Sequence, residues 1–447
     1  MKTKKMLTVS LPAALTIALA AVAGSASAQQ RNDLLSIYRD AVAFDPVFAS
    51  ARFTREAAQE RTAQARGALL PNVSAGLGVS ETNFHNSSPE FSRSFSSWGP
   101  SLTATLPLYR PQLWNQLDQA KLTVEQAEAQ FALARNDLVL RVTQAYFDVL
   151  AAQDALTAIE ASKKGVAEQL AQAKREFEVG TKTIVDTHEA QARYDQIVAQ
   201  EQVARGDLIV KQSALRVIIG RDAGTLLPLR DRPTLIGPEP ADVEAWAKRA
   251  EDESYGVAVA RDGAEIARIA TLSARNGHAP TLDLSATVQQ QRASGSTTFA
   301  GEDSTRTAVV GLQLTVPIYS GGIIQSRVRE ALANEQRAAQ DLESARRNAG
   351  QGARQAYTGV DFGLAQVRAL ESAEVSSHSQ LDSTRLGFQV GVRINLDVLN
   401  AVSQLFNTQR DLKKARYDFL VNGLKLKAAA GAATDQDVEQ ISNLLQR

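Results

Sequence analysis

Two hydrophobic periods alternate along this chain. From Leu113 the apolar or small residues fall at Leu117, Ala120, Val124, Ala127, Phe131, Ala134 and Leu138. The row continues through Val142, Val149, Leu156, Val166 and Leu170 to Phe177, and only Lys163 breaks it. Steps of four and three alternate, which is the seam of a coiled coil. One stutter, at Ala134, Leu138 and Val142, relaxes the supercoil locally. The pattern predicts one helix from Pro111 to Phe177, about 100 Å long at about 1.5 Å per residue. A later stretch keeps the row at Ile324, Val328, Leu342, Val360, Val367, Leu381 and Phe388. Alanines fill much of the space between, and Glu335 and Glu374 interrupt it.

Ahead of each long helix the period drops to two. PNVSAGLGVS puts Val73, Ala75, Leu77 and Val79 on one face, and SLTATLPL does the same with Leu102, Ala104 and Leu106. TLDLSATVQ offers Leu282, Leu284, Ala286 and Val288, and TAVVGLQLTVP offers Val310, Leu312, Leu314 and Val316. The opposite faces are small or polar. Each run is about 9–11 residues, the length of a tilted strand crossing a bilayer, with lipid on one face and water on the other. Two polar stretches, FHNSSPEFSRSFSS and RASGSTTFAGEDST, read as the loops between paired strands.

The two periods recur as a unit. Tyr109 in TLPLY returns as Tyr319 in TVPIY, and the QAY at 144–146 returns at 355–357. FEVGTKTIVD, from Phe177 to Asp186, returns as FQVGVRINLD, from Phe388 to Asp397. The mature chain therefore reads as two homologous repeats, 29–220 and 241–431. The proline-rich linker 221–240 lies between them, and a tail, 432–447, follows. Gly180 and Gly391, one in each turn phrase, suit the positive φ that ends a helix.

Four strands cannot close a membrane barrel, because bacterial barrels need at least about eight. Open edges in lipid leave backbone groups unpaired at several kcal/mol each. Chains must then share a barrel: two would supply eight strands with a filled interior, and three would supply twelve with room for a passage.

Composition narrows the picture further. The chain has 49 basic and 49 acidic side chains and no cysteine. A balanced charge does not suit a nucleic-acid binder, and disulfides and cysteine-based metal sites are excluded. The N-terminus carries Lys2, Lys4 and Lys5, an apolar run, and Ala26-Ser27-Ala28, which together read as a signal peptide over 1–28. Taking three lysines from 49 leaves 46 basic side chains against 49 acidic ones in the mature form. His85, His188, His278 and His378 form no metal-binding motif. The GTKT at 180–183 lacks the spacing of a phosphate loop, and no catalytic constellation appears. No enzyme activity and no cofactor are expected.

The assembled pattern resembles the TolC family of outer-membrane efflux and type I secretion ducts. The likeness covers essentially the whole mature chain. It rests on the duplicated strand–strand–long helix plan and on LPLY and VPIY at the helix entries. LDVLNAVSQLFNTQRDLKKARYDFLVNGLKLKAAAG near the end carries it most specifically. The resemblance implies a mainly α fold: an α-barrel of long coiled-coil helices and a twelve-stranded outer-membrane β-barrel, shared by a homotrimer with four strands per protomer. It implies that 31–68 stacks end to end on 185–219, and 241–276 on 396–430, with 221–240 and 432–447 forming an equatorial collar. Its implied partners are outer-membrane lipid, a periplasmic adaptor and an inner-membrane pump of ABC, RND or MFS type.

The two turn phrases would sit at the periplasmic tip. There the resemblance makes Asp186 a latch residue facing Arg393. It puts Phe388 where relatives have a tyrosine, so that hydroxyl bond is missing. It puts Asp397 and Asn400 in the pore ring, where the family pattern has two acidic residues, giving a trimer three carboxylates instead of six. A different class stays open at this point: a periplasmic coiled-coil adaptor or scaffold without its own pore.

Overall fold

The computed structural model describes residues 32–181, 183–298 and 300–446. The expected signal peptide, 1–28, lies outside the described residues. The first repeat runs α1 (Leu34–Phe44), α2 (Pro46–Gly67), β1 (Asn72–Ser87), β2 (Glu90–Tyr109), α3 (Pro111–Glu178) and α4 (Ile184–Ile219). The second runs α5 (Val243–Glu253), α6 (Tyr255–Arg275), β3 (Thr281–Gly295), β4 (Ala300–Thr315), α7 (Ile323–Gln389) and α8 (Asn395–Ala429), and a short α9 (Asp435–Ser442) follows. Residues 221–240 contain no helix. The long helices α3 and α7 hold 68 and 67 residues. Among the described residues no helix is apolar enough to cross a membrane.

The helix expected over 31–68 is broken. Pro46 has no N–H to give the preceding turn and forces Asp45 out of the helical region, to φ −66°, ψ 118°. Asp45 then caps α2 by accepting the Phe48 N–H at 2.8 Å. The span 241–276 breaks at Ser254, which caps α6 through the Val257 N–H at 3.3 Å. No proline marks this second break. The two stacked rods meet at these breaks: Gly220, ending α4 at φ +72°, lies against Phe44. Gly431, at φ +67°, lies so close to α5 that a Cβ there would stand 2.6 Å from the Glu253 carbonyl oxygen.

Asp45 is buried, and Arg141 of α3 donates to both its oxygens at 3.2 and 3.0 Å. Burial raises the Asp45 pKa, but the Arg141 bonds and the Phe48 amide outweigh it, so the carboxyl sits below its usual range. A depressed folded pKa contributes stability above the unfolded value, and that contribution is lost as pH falls through the folded one. Arg141→Gln should therefore cost about 3 kcal/mol near neutral pH, because it leaves a buried carboxylate half satisfied. Urea titrations should show the gap between the two proteins closing below about pH 4.

The main core sits at the middle of α3. Tyr146 and Phe147 are fully buried there among Leu138, Leu215, Leu226, Leu424 and Leu445. The Tyr146 hydroxyl donates to the Leu227 carbonyl at 2.8 Å and so pins residues 221–240 to the helices. Asn32 bridges to Leu226 and Leu229 to Leu445, which ties both ends of the described residues to the same girdle. Lys163, the break in the first seam, donates to the buried Glu201 of α4 at 2.6 Å. Glu374, a break in the second, accepts from Gln409 of α8 at 3.1 Å.

The four strands form one antiparallel sheet in the order β1-β2-β3-β4, so β2 and β3 join the two repeats. Register fixes the faces. Ala75 pairs with Leu102 and Leu102 with Val288, while Leu106 pairs with Leu284 and Leu284 with Leu312. Opposite residues in an antiparallel pair share a face, so the apolar sets of all four strands make one continuous exposed surface. The other face carries Ser74, Thr103, Thr287 and their like, with Thr103 and Thr287 hydroxyls 3.4 Å apart.

The strands are longer than expected. They hold 16, 20, 15 and 16 residues, and the stretches read as loops are mostly strand. Only Ser88 and Pro89 separate β1 from β2. The polar segments keep the period of two, and Phe84 packs on Phe91 with ring centroids 5.6 Å apart. Sixteen residues at about 3.3 Å rise and about 40° tilt give about 40 Å of height, against an apolar band about 25 Å tall in an outer-membrane barrel. The upper part of the sheet stands clear of the membrane.

Candidate functional site

The repeated phrases build two matching hairpin turns at the far end of the rods. In the first, the Gly180 N–H donates to the Phe177 carbonyl at 2.9 Å and the Thr181 N–H to Glu176 at 2.9 Å. In the second, Gly391 donates to Phe388 at 3.1 Å and Val392 to Gly387 at 2.9 Å. Both are Schellman closures, which need a left-handed residue after the helix. Gly180 and Gly391 supply it at φ 75° and 81°. The Arg393 N–H also reaches the Gly387 carbonyl, at 3.1 Å, and a Cβ on Gly387 would lie 2.8 Å from Arg393 Cγ.

The two aspartates hold the same local position. Asp186 is the third residue of α4: it accepts from the Thr183 N–H at 3.1 Å and the Thr183 hydroxyl at 2.9 Å, while its own N–H meets that hydroxyl at 3.4 Å. This is a capping box. Asp397 is the third residue of α8 and accepts from the Ile394 N–H at 3.4 Å. Isoleucine has no acceptor, so the second cap is only half made. Asp397 also faces Arg393 at 3.7 Å, with Arg393 exposed and Asp397 partly so.

Among the described residues, no ion pair joins Asp186 to Arg393 within one protomer. Each aspartate instead serves its own helix start. Phe388 packs on the cluster of Leu381, Val398, Ala401, Val402 and Leu405, which seats α7 on α8 at the tip. Asn400 is exposed one turn beyond Asp397. The capping role was readable in TIVD as Thr-x-x-Asp. A feature with no sequence signal of its own is the apolar crown: Val179, Val185, Val390, Val392 and Ile394 are each more than half exposed around the two turns. Among the described residues no group of three or more His, Asp or Glu side chains could hold a metal ion.

An open sheet with an apolar outer face, carried on helices about 100 Å long, defines an outer-membrane channel protein with a large periplasmic helical part. The chain belongs to the outer membrane efflux protein family, whose sequence model matches residues 37–221 and 246–432. It is 33% identical over 427 residues to the outer membrane protein TolC of Vibrio cholerae, covering 95% of this chain and 96% of that one. It is 29% identical to the alkaline protease secretion protein AprF of Pseudomonas aeruginosa, over 92% and 86% of the two chains. Its fold matches the CmeC outer membrane channel of Campylobacter jejuni with a TM-score of 0.79 at 15% identity, covering 92% and 90%. The protein resides in the cell outer membrane, and the pore-less adaptor alternative finds no support in these likenesses or in the sheet.

Proposed function

We propose that this chain forms a homotrimer acting as a passive exit duct for efflux or type I secretion. The observation that carries the reading is the four-stranded sheet with its continuous apolar face and unpaired outer edges on β1 and β4. In lipid those edges must pair with other copies. Three copies give twelve strands, and the Ser-, Thr- and Gly-lined inner face suits a water-filled passage better than the packed interior of an eight-stranded barrel. The long helices would continue the passage as a periplasmic tunnel, with 221–240 and 432–447 as its equatorial collar.

At the tip, Arg393 would latch onto Asp186 of a neighbouring protomer, and three copies of Asp397 would ring the narrowest point. The exposed apolar crown would meet a periplasmic adaptor, which couples the duct to an inner-membrane pump of ABC, RND or MFS type. Energy would come from that pump, and no catalytic step or cofactor belongs to this chain.

Membrane fractions run unheated on a gel should show a species three times the protomer mass that collapses on boiling, and the purified species should conduct in planar bilayers. A soluble monomer that gives no conductance would sink the reading.

A further inference from the structure

We infer that the lipid-facing surface of the sheet carries a site for the phosphate groups of outer-leaflet lipid, built on Arg292 and Arg306. The register places both on the apolar side. Arg292 stands opposite Trp98, which follows Pro100 and Leu102 along the same face of β2. Arg306 stands opposite Gln290, the next outward position after Val288 on β3. The two arginines are thus diagonal neighbours on adjacent strands, about 7–8 Å apart at the backbone. Both are exposed.

Their height fits a headgroup. By the rise and tilt used above, Arg306 lies about 23 Å above the periplasmic end of the sheet and Arg292 about 28 Å. An outer-membrane barrel has an apolar band about 25 Å tall. The pair therefore sits at the outer boundary, with Leu312, Leu284 and Val288 beneath it. Arg292 lies over the Trp98 ring at 5.5 Å, which holds one guanidinium flat against the sheet.

Two like charges on one surface repel. Neither guanidinium is in an ion pair with another described residue. The outward carboxylate Glu81 stands further out, opposite Ser96, and Glu302 lies beyond Arg306 along β4, past the last regular pair of Ala293 with Asp303. At a hydrocarbon boundary the missing counter-charge must come from the membrane, and guanidinium forks match phosphate oxygens in pairs. The occupant is the phosphate of a membrane-embedded lipid: acyl chains lie on the apolar band while the headgroup reaches Arg306, Arg292 and the Gln290 amide.

The inference rests on the outward assignment of the apolar face, so insertion and lipid retention are measured separately. Wild-type protein and Arg292→Gln/Arg306→Gln are placed in nanodiscs of neutral phospholipid doped with bisphosphorylated lipid A, and trimer content is scored by heat-modified mobility. Retained lipid A is then counted by native mass spectrometry. The wild type should keep lipid A through an exchange wash that strips at least tenfold more of it from the double glutamine variant, while Arg292→Lys/Arg306→Lys keeps an intermediate amount. Lipid A with its phosphates removed should be lost from the wild type too, and soluble pyrophosphate should not displace the intact lipid. Equal retention by wild type and glutamine variant, or equal retention of the dephosphorylated lipid, would overturn the site. Displacement by pyrophosphate would overturn the lipid as its occupant. If the double variant fails to insert, the wild-type comparison of the two lipids still decides.

Discussion

Val310→Arg should abolish the stable outer-membrane trimer. Val310 is 76% exposed in the protomer and stands opposite Ala286, about 13 Å above the periplasmic end of the sheet and so at the middle of an apolar band about 25 Å tall. An arginine at the bilayer midplane of a β-barrel costs about 2–4 kcal/mol. A shared barrel presents the substitution three times, so the penalty reaches about 6–12 kcal/mol, comparable with the whole stability of an ordinary domain. Snorkelling offers little relief, because either interface is more than 10 Å away along a surface of Val and Leu. The control is Thr307→Arg, on the same strand but facing inward opposite Gln289. Its charge meets water in the passage, so trimer yield should stay within twofold of wild type. The measurement is the heat-modifiable trimer in membrane fractions. Normal trimer for Val310→Arg, or equal losses for both variants, would mean that this face does not meet lipid.

Much of this surface was legible in the sequence, because a strand with one wet and one oily face must alternate strictly. Every outward residue named from the pattern of two falls on one face once the strands pair, except Val316, which lies just past the end of β4. What the pattern could not give was where the strands stop. Ser, Thr and Asn on both faces of 80–97 look like loop composition, yet the backbone there remains paired because the neighbouring strand continues beside it. The helix breaks divide in the same way. Pro46 announces the first through covalent geometry, whereas Ser254 marks the second only by its place in the repeat.

The tip was the least legible part. The phrases FEVG and FQVG fixed both turns, since a Schellman closure needs a left-handed residue. The aspartates are different, because a carboxylate three residues into a helix serves the cap whether or not it also faces a pore. The family resemblance leads one to expect different roles for Asp186 and Asp397, while in the protomer both take the same place at a helix start. Only an experiment on the assembled channel distinguishes a cap from a gate.

Asp397→Ala should weaken block by a trivalent cation such as hexaamminecobalt at least tenfold, with the channel otherwise folded. The cap it gives up is weak: one 3.4 Å bond to Ile394 and a 3.7 Å approach to Arg393, both largely solvated. Helix caps contribute about 1 kcal/mol and exposed ion pairs between about 0 and 1, so the fold survives. A ring of carboxylates sets cation affinity in a pore, and here removing Asp397 takes all three, since Asn400 supplies no charge. Asp397→Asn should lose block equally, because charge and not shape is the active property. Arg393→Ser should raise conductance several-fold, and its partner decides why. If Arg393 latches Asp186 of the next protomer, Asp186→Ala reproduces the rise and the double variant adds nothing to it. If Arg393 only balances Asp397 within its own turn, Asp186→Ala leaves conductance unchanged, and the latch is refuted while the ring stands. Unchanged block in Asp397→Ala would remove the ring as well and place the constriction elsewhere along the tunnel.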